Sequence, residues 1–147
     1  MEVKFRIANI DDIEGIVNLC NECFLENTSI EYAKEIFKKY ESDENQIYVI
    51  GEHDGKIIAH TKITVIPTMF ENMKTYSILN HVCVKEEYRR HHIGMRLMEE
   101  CERISKSKGC DLMQLWSNNY RLPAQRLYRK YGFIPKDAQF FSKVIER

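Results

Sequence analysis

The residue types that could do chemistry are densest in residues 79–100, with the sequence LNHVCVKEEYRRHHIGMRLMEE. This stretch is typical of a strand that leads through a basic turn into an amphipathic helix. The start of a helix offers backbone N–H groups without acceptors inside the helix, and the helix dipole adds partial positive charge there. Gly94 allows a ligand to approach the backbone closely, and further charge and donors come from Arg89, Arg90, His91 and His92. The pattern predicts an anion site for a phosphate or a pyrophosphate.

A simpler interpretation of the same turn is a solvated basic segment that caps a helix. A phosphate-binding P-loop is disfavoured, because the chain has no Gly-rich loop that ends in Lys followed by Ser or Thr. A metal at His91 and His92 is also disfavoured, because no third ligand lies nearby in the sequence. The chain carries 22 Lys and Arg against 22 Asp and Glu, and this balance disfavours nucleic-acid binding. We therefore expect neither a metal nor a nucleic-acid partner.

Length and composition predict a single globular domain, because 147 residues with 44 % hydrophobic side chains can bury a core. The N-terminal sequence does not resemble a signal peptide, and no run of apolar residues is long enough to span a membrane. Cys20 and Cys23 form a C-x-x-C pattern inside an apolar helical stretch, without a second pair. This context favours reduced, partly buried thiols over a redox pair or half of a metal site. We expect a cytoplasmic protein.

The elements that must position the anion site follow from periodicity and from turn residues. A helix capped by Asp11 and a second helix near residues 30–40 precede the central strands. A third helix runs from the basic turn to Gly109, and a fourth runs from Pro123 to Gly132. Asp54-Gly55 predicts a tight hairpin turn. Strands are predicted at residues 2–7, 46–52, 56–66, 77–84 and 111–116, with two short final strands at residues 133–134 and 139–145.

This order, β-α-α-β-β-β-α-β-α-β-β, predicts the fold class. The central meander should be antiparallel, and the strand–helix–strand unit at residues 77–116 should be a right-handed parallel crossover. We therefore expect an α/β (α+β) fold with a mixed, mostly antiparallel sheet and helices on both faces.

These residues resemble a known family. Val82-Cys83-Val84 and the turn from Arg89 to Gly94 are similar to the acyl-CoA motif of the GNAT family of N-acetyltransferases, in which Arg/Gln-x-x-Gly-x-Gly/Ala follows a strand. His92 stands where that motif has its first glycine, and Gly94 matches the second. FRIANIDDIEGIVNL, KSKGCDLMQLWSN and RLPAQRLYRKYGF resemble further parts of the family. The resemblance covers essentially the whole chain, so it implies one GNAT domain over residues 1–147 with splayed parallel central strands.

The resemblance implies transfer of an acetyl group from acetyl-CoA directly to an amine. Backbone groups of Val82 and Val84 would pair with the pantetheine arm like an added strand, while Cys83 would fill the sheet core rather than carry an acyl group. The backbone amides of residues 90–95 would hold the pyrophosphate, including those of Ile93, Gly94 and Met95. If the position of His92 requires a positive φ, the histidine costs about 1 kcal/mol there.

Tyr128 matches the family tyrosine that protonates the departing thiolate, and a phenol with a pKa near ~10 suits that role. Judged from its spacing alone, Tyr128 would be a packed aromatic on an apolar helix face. In the loop before it, Asn119 and Arg121 are candidates for contacts with CoA or with the acceptor.

The resemblance leaves the general base unassigned. Asn80 stands where many members carry a glutamate on the central strand; an amide cannot take a proton, but it can position a water. His81 is adjacent, but strand alternation sends its side chain to the other face. His60 and Glu71 are further candidates.

We therefore expect an acetyl-CoA-dependent N-acyltransferase that acts on a primary amine of a small molecule or a peptide. The acceptor stays open between a small amine, an aminoglycoside-like compound, an amino acid and a protein N-terminus. We expect no membrane partner, and a homodimer is compatible with the resemblance. The alternative is a catalytically weak acyl-CoA-binding sensor or interaction module, which Asn80 and His92 favour.

Overall fold

One five-stranded mixed sheet forms the scaffold, and the computed structural model describes all 147 residues. The strands are Lys4–Ile7 (β1), Gln46–His53 (β2), Lys56–Ile66 (β3), Tyr76–Val84 (β4) and Leu112–Leu115 (β5). They lie in sequence order across the sheet, and only the β4–β5 pair is parallel. This arrangement confirms the predicted mixed, mostly antiparallel α/β fold.

Four α-helices complete the fold: Ile13–Phe24 (α1), Ile30–Lys39 (α2), Ile93–Ser107 (α3) and Leu122–Tyr131 (α4). The predicted N-cap at Asp11 is wrong, because a short 3₁₀ turn, Ile10–Asp12, precedes α1 and is capped by Asn9. The Asn9 side chain accepts the Asp11 N–H at 2.9 Å, and the Asp12 carboxylate accepts the Asn9 N–H at 2.8 Å. This reciprocal capping box satisfies the first amides and moves the start of α1 to Ile13.

Helices α1 and α3 pack against opposite faces of the sheet. The hydroxyls of Ser77 on β4 and Ser105 on α3 hydrogen-bond at 2.8 Å, which marks the α3 face. On the other face, Ile50 and Cys83 join Cys20 of α1 in one buried cluster. The predicted placement of helices on both faces is confirmed, and the two faces of β4 therefore have different surroundings.

The hairpin between β2 and β3 turns at Asp54 and Gly55, as the Asp-Gly pair predicts. Both residues have a positive φ, of 49° and 74°. Two successive residues of this kind form a type I′ turn, whose twist matches that of the paired strands. The hairpin pairs the long strand β3 with β2, and on its other side β3 pairs with β4, which carries the chemistry-bearing residues.

Residues 117–147 form a second compact unit, distinct from the unit Met1–Trp116. Within it, Pro123 lies in the first turn of α4, and Gly132 ends the helix with a φ of 120°, both as predicted. The rings of Tyr128 and Phe133 meet edge to face, with centroids 5.9 Å apart.

The two final strands predicted at residues 133–134 and 139–145 are wrong, because no residue after Tyr131 forms a helix or strand. The apolar residues there come in adjacent pairs rather than at alternating positions, so they do not define one strand face. A short strand also needs a partner ladder to be stable. Five large apolar residues of this segment are more than two-thirds exposed: Ile134, Phe140, Phe141, Val144 and Ile145.

Candidate active site

Strand β4 separates from its parallel neighbour halfway along its length. The pairing of β4 with β5 ends at Leu79 opposite Leu115. Residues 80–84 continue as strand and stay paired with β3 on the other side. The β5-facing edge of this half therefore offers backbone donors and acceptors without a neighbouring strand, as an extended ligand would require.

A β-bulge interrupts β4 at the start of this open half. Lys62 pairs with Asn80 and His60 pairs with Cys83, so one residue of β3 faces two of β4. His81 has a φ of +55°, in the left-handed region. Thr61 fixes the bulge from β3, since its hydroxyl donates to the Asn80 carbonyl at 2.8 Å. The extra residue places Asn80 and Cys83 on one face although they are three positions apart.

The bulge also overturns the prediction that alternation sends the His81 side chain to the other face. The His81 ring packs edge to face on Phe24, the last residue of α1, with centroids 4.9 Å apart. Its Nε2 lies 2.8 Å from a carboxylate oxygen of Glu26, just beyond α1. His81 therefore lies on the α1 side of the sheet, as Asn80 does, and 46 % of its side chain is exposed.

A polar row crosses the same face beside His81. Tyr48, Lys62 and Asn80 are direct cross-strand neighbours on β2, β3 and β4, and such neighbours share one face. The Lys62 ammonium lies 5.4 Å from the centre of the Tyr48 ring and forms no salt bridge. Burial lowers the pKa of Lys62, partly offset by the charge of Asp43. The row presents a cation, an aromatic ring and an exposed amide next to an imidazole.

His60 is not a surface base, although the sequence made it a candidate. Its ring is 3 % exposed, stacks on Tyr48 at 6.2 Å and bonds through Nδ1 to the Val49 carbonyl at 2.8 Å. Burial lowers the pKa of His60 to about 4. The ring is therefore a neutral core group at neutral pH.

The basic turn after β4 has the backbone of an anion site. Arg90 and His92 both have a positive φ, of 71° and 60°, on either side of His91. His92 caps α3 in the left-handed conformation without a side-chain capping bond. The first α3 amide with an acceptor of its own is that of Arg96, bonded to the His92 carbonyl at 3.1 Å. The amides of Ile93, Gly94 and Met95 come before this bond, so they have no acceptor within the helix.

Arg89 joins the basic turn to the end of β4. Its Nε donates to the Val84 carbonyl at 2.9 Å, and one of its terminal nitrogens lies 4.0 Å from the Cys23 sulfur. The Val84 carbonyl, expected to pair with pantetheine, is thus engaged within the chain. Arg90, His91 and His92 are exposed.

The remaining predicted site residues lie in the second unit. Tyr128 is 6 % exposed on α4. Asn119 is exposed in the turn before α4, where the Asn118 carbonyl accepts the Gln125 side-chain amide at 2.8 Å. Arg121 is the N-cap residue of α4.

Comparison with protein families decides the assignment. The sequence pattern of the acetyltransferase (GNAT) family matches residues 13–133. The chain belongs to the GNAT acetyltransferase family. The resemblance inferred from the sequence is thereby confirmed, and this GNAT protein is an N-acetyltransferase.

Three proteins similar to this GNAT acetyltransferase share less than a quarter of its residues. A spermidine N(1)-acetyltransferase of Thermoplasma acidophilum is 23 % identical over 164 aligned positions, which cover 100 % of this chain and 98 % of the relative. Glucosamine-6-phosphate N-acetyltransferase of Arabidopsis thaliana has the same fold, with a TM-score of 0.82, 22 % identity and coverage of 99 % and 100 %. An aminoglycoside N-acetyltransferase solved with CoA gives a TM-score of 0.84 at 14 % identity, with coverage of 97 % and 95 %.

The structure of this GNAT acetyltransferase has neither a metal-ligand cluster nor a helix suited to a membrane. No group of three or more His, Cys, Asp or Glu side chains is arranged to hold a metal ion. None of its helices is both long enough and apolar enough to cross a membrane. Acetyl-CoA is the acetyl donor of the family, and the open edge of β4 and the amides before α3 are groups that could bind it.

Sequence reasoning missed the His81–Glu26 pair, because alternation assumes an uninterrupted strand. One signal was present: Asn80 and His81 are adjacent polar residues between the apolar stretches 78–79 and 82–84. Two neighbouring polar residues there indicate that both point toward water, which only a bulge permits.

Proposed function

We propose that this GNAT protein transfers the acetyl group of acetyl-CoA directly to a primary amine of a small molecule or peptide. The observation that carries the proposal is the geometry of β4, whose edge is open beyond Leu79 and which leads into the left-handed basic turn before α3. An open strand edge followed by a helix N-terminus suits a ligand with an amide-containing arm and a pyrophosphate. The family match through residues 13–133 supports treating residues 1–147 as one catalytic domain.

The donor would lie along this edge in two parts. The pantetheine arm would pair with backbone groups of Val82 and with the Val84 N–H, beside the buried Cys83. The Val84 carbonyl stays with Arg89, which thereby positions the turn. The pyrophosphate would accept hydrogen bonds from the amides of residues 90–95, with added positive charge from Arg90 and exposed donors on His91 and His92.

The bulge supports a role for β4 in the chemical step as well. A backbone amide near Val82 would polarise the thioester carbonyl, because a fixed N–H dipole stabilises the oxyanion that develops during attack. The amine must also lose a proton. His81 is suited to accept it, since its ring is partly exposed and held at 2.8 Å by Glu26. Asn80, one residue earlier, would position a water between the amine and this base.

Tyr128 would protonate the departing CoA thiolate. This assignment rests on the match between RLPAQRLYRKYGF and the family signature. A phenol is a suitable acid for a thiolate, because it is protonated at neutral pH and the two groups have comparable basicity. Asn119 would contact CoA or the acceptor from the preceding turn.

The row Tyr48–Lys62–Asn80 supports a preference among amines. Lys62 has no carboxylate within salt-bridge distance, and burial disfavours its charged form. An anionic group on the acceptor would restore a partner for this ammonium, whereas a polyamine would be repelled by it. We therefore expect an acceptor that carries a carboxylate or a phosphate as well as its amine.

An amine panel tests the proposal. Release of CoA from acetyl-CoA should be followed by chromatography with spermidine, glucosamine 6-phosphate, an aminoglycoside, free amino acids and short peptides. We expect release that depends on an amine, fastest for an acceptor with an acidic group, and a loss of that preference in Lys62→Met. Stabilisation by acetyl-CoA without release for any amine would instead identify a binding module.

A further inference from the structure

Three of the five cysteines converge where α1 meets the end of β4. Cys20 and Cys23 come from one side of α1, and Cys83 comes from β4. Cys20 and Cys83 lie in one buried cluster, and Cys23 packs against it. Cys20 and Cys83 are buried, with 8 % and 5 % exposure, while Cys23 lies at the partly exposed edge of the cluster. Of these three thiols, that of Cys23 is therefore the one accessible to reagents, and the buried Cys83 lies next to it.

A guanidinium lies against the exposed thiol. A terminal nitrogen of Arg89 donates to the Cys23 sulfur at 4.0 Å. When protonated, the Cys23 thiol donates to the Val84 carbonyl at 3.7 Å. A neighbouring cation and a donated hydrogen bond stabilise a thiolate, which is the reactive form of cysteine. The proposed mechanism of acetyl transfer uses none of these thiols.

The surroundings of the cluster shift the pKa values of Cys23 and Cys83 in opposite directions. The hydrogen bond with Cys83 and the charge of Arg89 lower the pKa of Cys23 to about 7, against burial and the carboxylate of Glu22. Hydrogen bonds with Cys20 and Cys23, together with burial, raise the pKa of Cys83 well above its usual value. The Glu22 carboxylate is itself paired with Lys85 at 3.3 Å. At neutral pH Cys23 is therefore partly in the thiolate form, while Cys83 is protonated.

We propose that Cys23 is a site of thiol modification, which a low-molecular-weight disulfide converts to a mixed disulfide and Cys83 then resolves to a Cys23–Cys83 bond. Glutathione disulfide represents this class of oxidant. The Cys23 thiolate attacks one sulfur of the reagent, the S–S bond breaks, and one glutathione leaves as a thiolate that takes a proton from water.

Resolution follows from the same geometry. Once Cys23 is a mixed disulfide, its charge no longer raises the pKa of Cys83. Cys83 loses its proton to water and attacks the Cys23 sulfur, and the second glutathione leaves. The two protein thiols lose two electrons in total, and one glutathione disulfide is reduced to two glutathione thiols.

The modification would weaken acetyl-CoA binding through Arg89, a consequence that rests on the proposed function. Oxidation removes the thiolate that faces the Arg89 guanidinium, and it bonds the last turn of α1 to β4 beside Val84. Both changes occur next to the strand edge and the basic turn proposed to bind acetyl-CoA. We expect oxidised protein to bind acetyl-CoA more weakly than reduced protein, and dithiothreitol to restore the affinity.

The test uses the full chain and glutathione disulfide as the probe. Intact-mass measurements over time, followed by peptide mapping without reductant, identify the modified thiols. We expect the first adduct on Cys23, followed by a Cys23–Cys83 bond, and accumulation of the mixed disulfide in Cys83→Ser. Cys110 is the matched control within the wild-type protein, since it is also partly exposed but burial raises its pKa.

The wild-type peptide map decides the proposal even if a variant folds poorly. The rate of adduct formation at Cys23 should rise with pH and be half-maximal near pH 7, and Arg89→Gln should move this rise to higher pH. Modification of Cys110 as fast as Cys23, or a Cys83→Ser protein that behaves as wild type, would overturn the proposal. These readouts do not involve acetyl-CoA, so they stand apart from a failure of the proposed acetyl transfer.

Discussion

His81 Nε2 and Glu26 Oε1 lie 2.8 Å apart although 55 residues separate them in the chain. The contact depends on the bulge in β4, which gives His81 a left-handed backbone and turns its ring toward the end of α1. A carboxylate that holds one nitrogen of an imidazole fixes the ring orientation and stabilises the imidazolium that forms during proton abstraction. We propose that this arrangement supplies the base for which Asn80 is chemically unsuited.

Replacement of His81 tests that role. His81→Gln should lower kcat about 100-fold, because a positioned general base contributes at least that factor. It should also remove the acidic limb of the kcat/KM pH profile while acetyl-CoA affinity stays unchanged. Glu26→Gln should cause a smaller loss, and His53→Gln, a histidine elsewhere on the sheet, serves as the control. An unchanged pH profile in His81→Gln would exclude His81 as the base.

Tyr128→Phe tests the assigned acid. We expect turnover to fall about 100-fold with little change in acetyl-CoA affinity, because only the proton for the thiolate is lost. Tyr131→Phe makes the same chemical change one turn later on α4 and should keep near-normal turnover. Steady-state kinetics and calorimetric titration measure the two quantities, and equal turnover of Tyr128→Phe and wild type would refute the role.

His92 occupies the left-handed cap of α3 with a φ of +60°, where the family motif has glycine. A side chain in this conformation costs about 1 kcal/mol, so His92→Gly should raise the free energy of unfolding by up to about that amount. Since backbone amides are expected to hold the pyrophosphate, the Kd for acetyl-CoA should change less than about twofold. His91 does not have a positive φ, so His91→Gly should destabilise the protein instead. A tenfold weaker Kd in His92→Gly would mean that the imidazole itself binds phosphate.

The buried ring of His60 makes stability depend on pH. Burial lowers its native pKa to about 4, whereas an unfolded histidine has a pKa near ~6.5, so the unfolded state binds the extra proton between these values. Stability should therefore fall as the pH drops from about 6.5 to 4, by about 3 kcal/mol from this residue. Urea unfolding across this range measures the loss, and the slope should be shallower in His60→Gln. Parallel curves for the two proteins would contradict this account.

The order of elements from β1 to α4 could be predicted from the sequence because its signals are local. The Asp54-Gly55 turn, Pro123 at the start of α4 and Gly132 at its end each depend on their own backbone preferences. The family motif similarly predicted the basic turn, including the strained position of His92.

The features that sequence reasoning missed depend on contacts between distant segments. The bulge at His81 belongs to the pairing of β3 with β4, in which one residue of β3 faces two residues of β4. The prediction of two final strands was wrong because residues 133–147 pair with no other strand. The convergence of Cys23 with Cys83 and Arg89 joins α1 to the end of β4, so the C-x-x-C spacing alone could not reveal it.

The most direct test of the central claim is transfer of isotope-labelled acetyl from acetyl-CoA to an amine, measured by mass spectrometry of the products. The account predicts that the labelled acetyl group appears on the amine, with one CoA released for each acetylated amine. Binding of acetyl-CoA with no labelled amine from the panel, or with labelled acetate as the sole product, would contradict it.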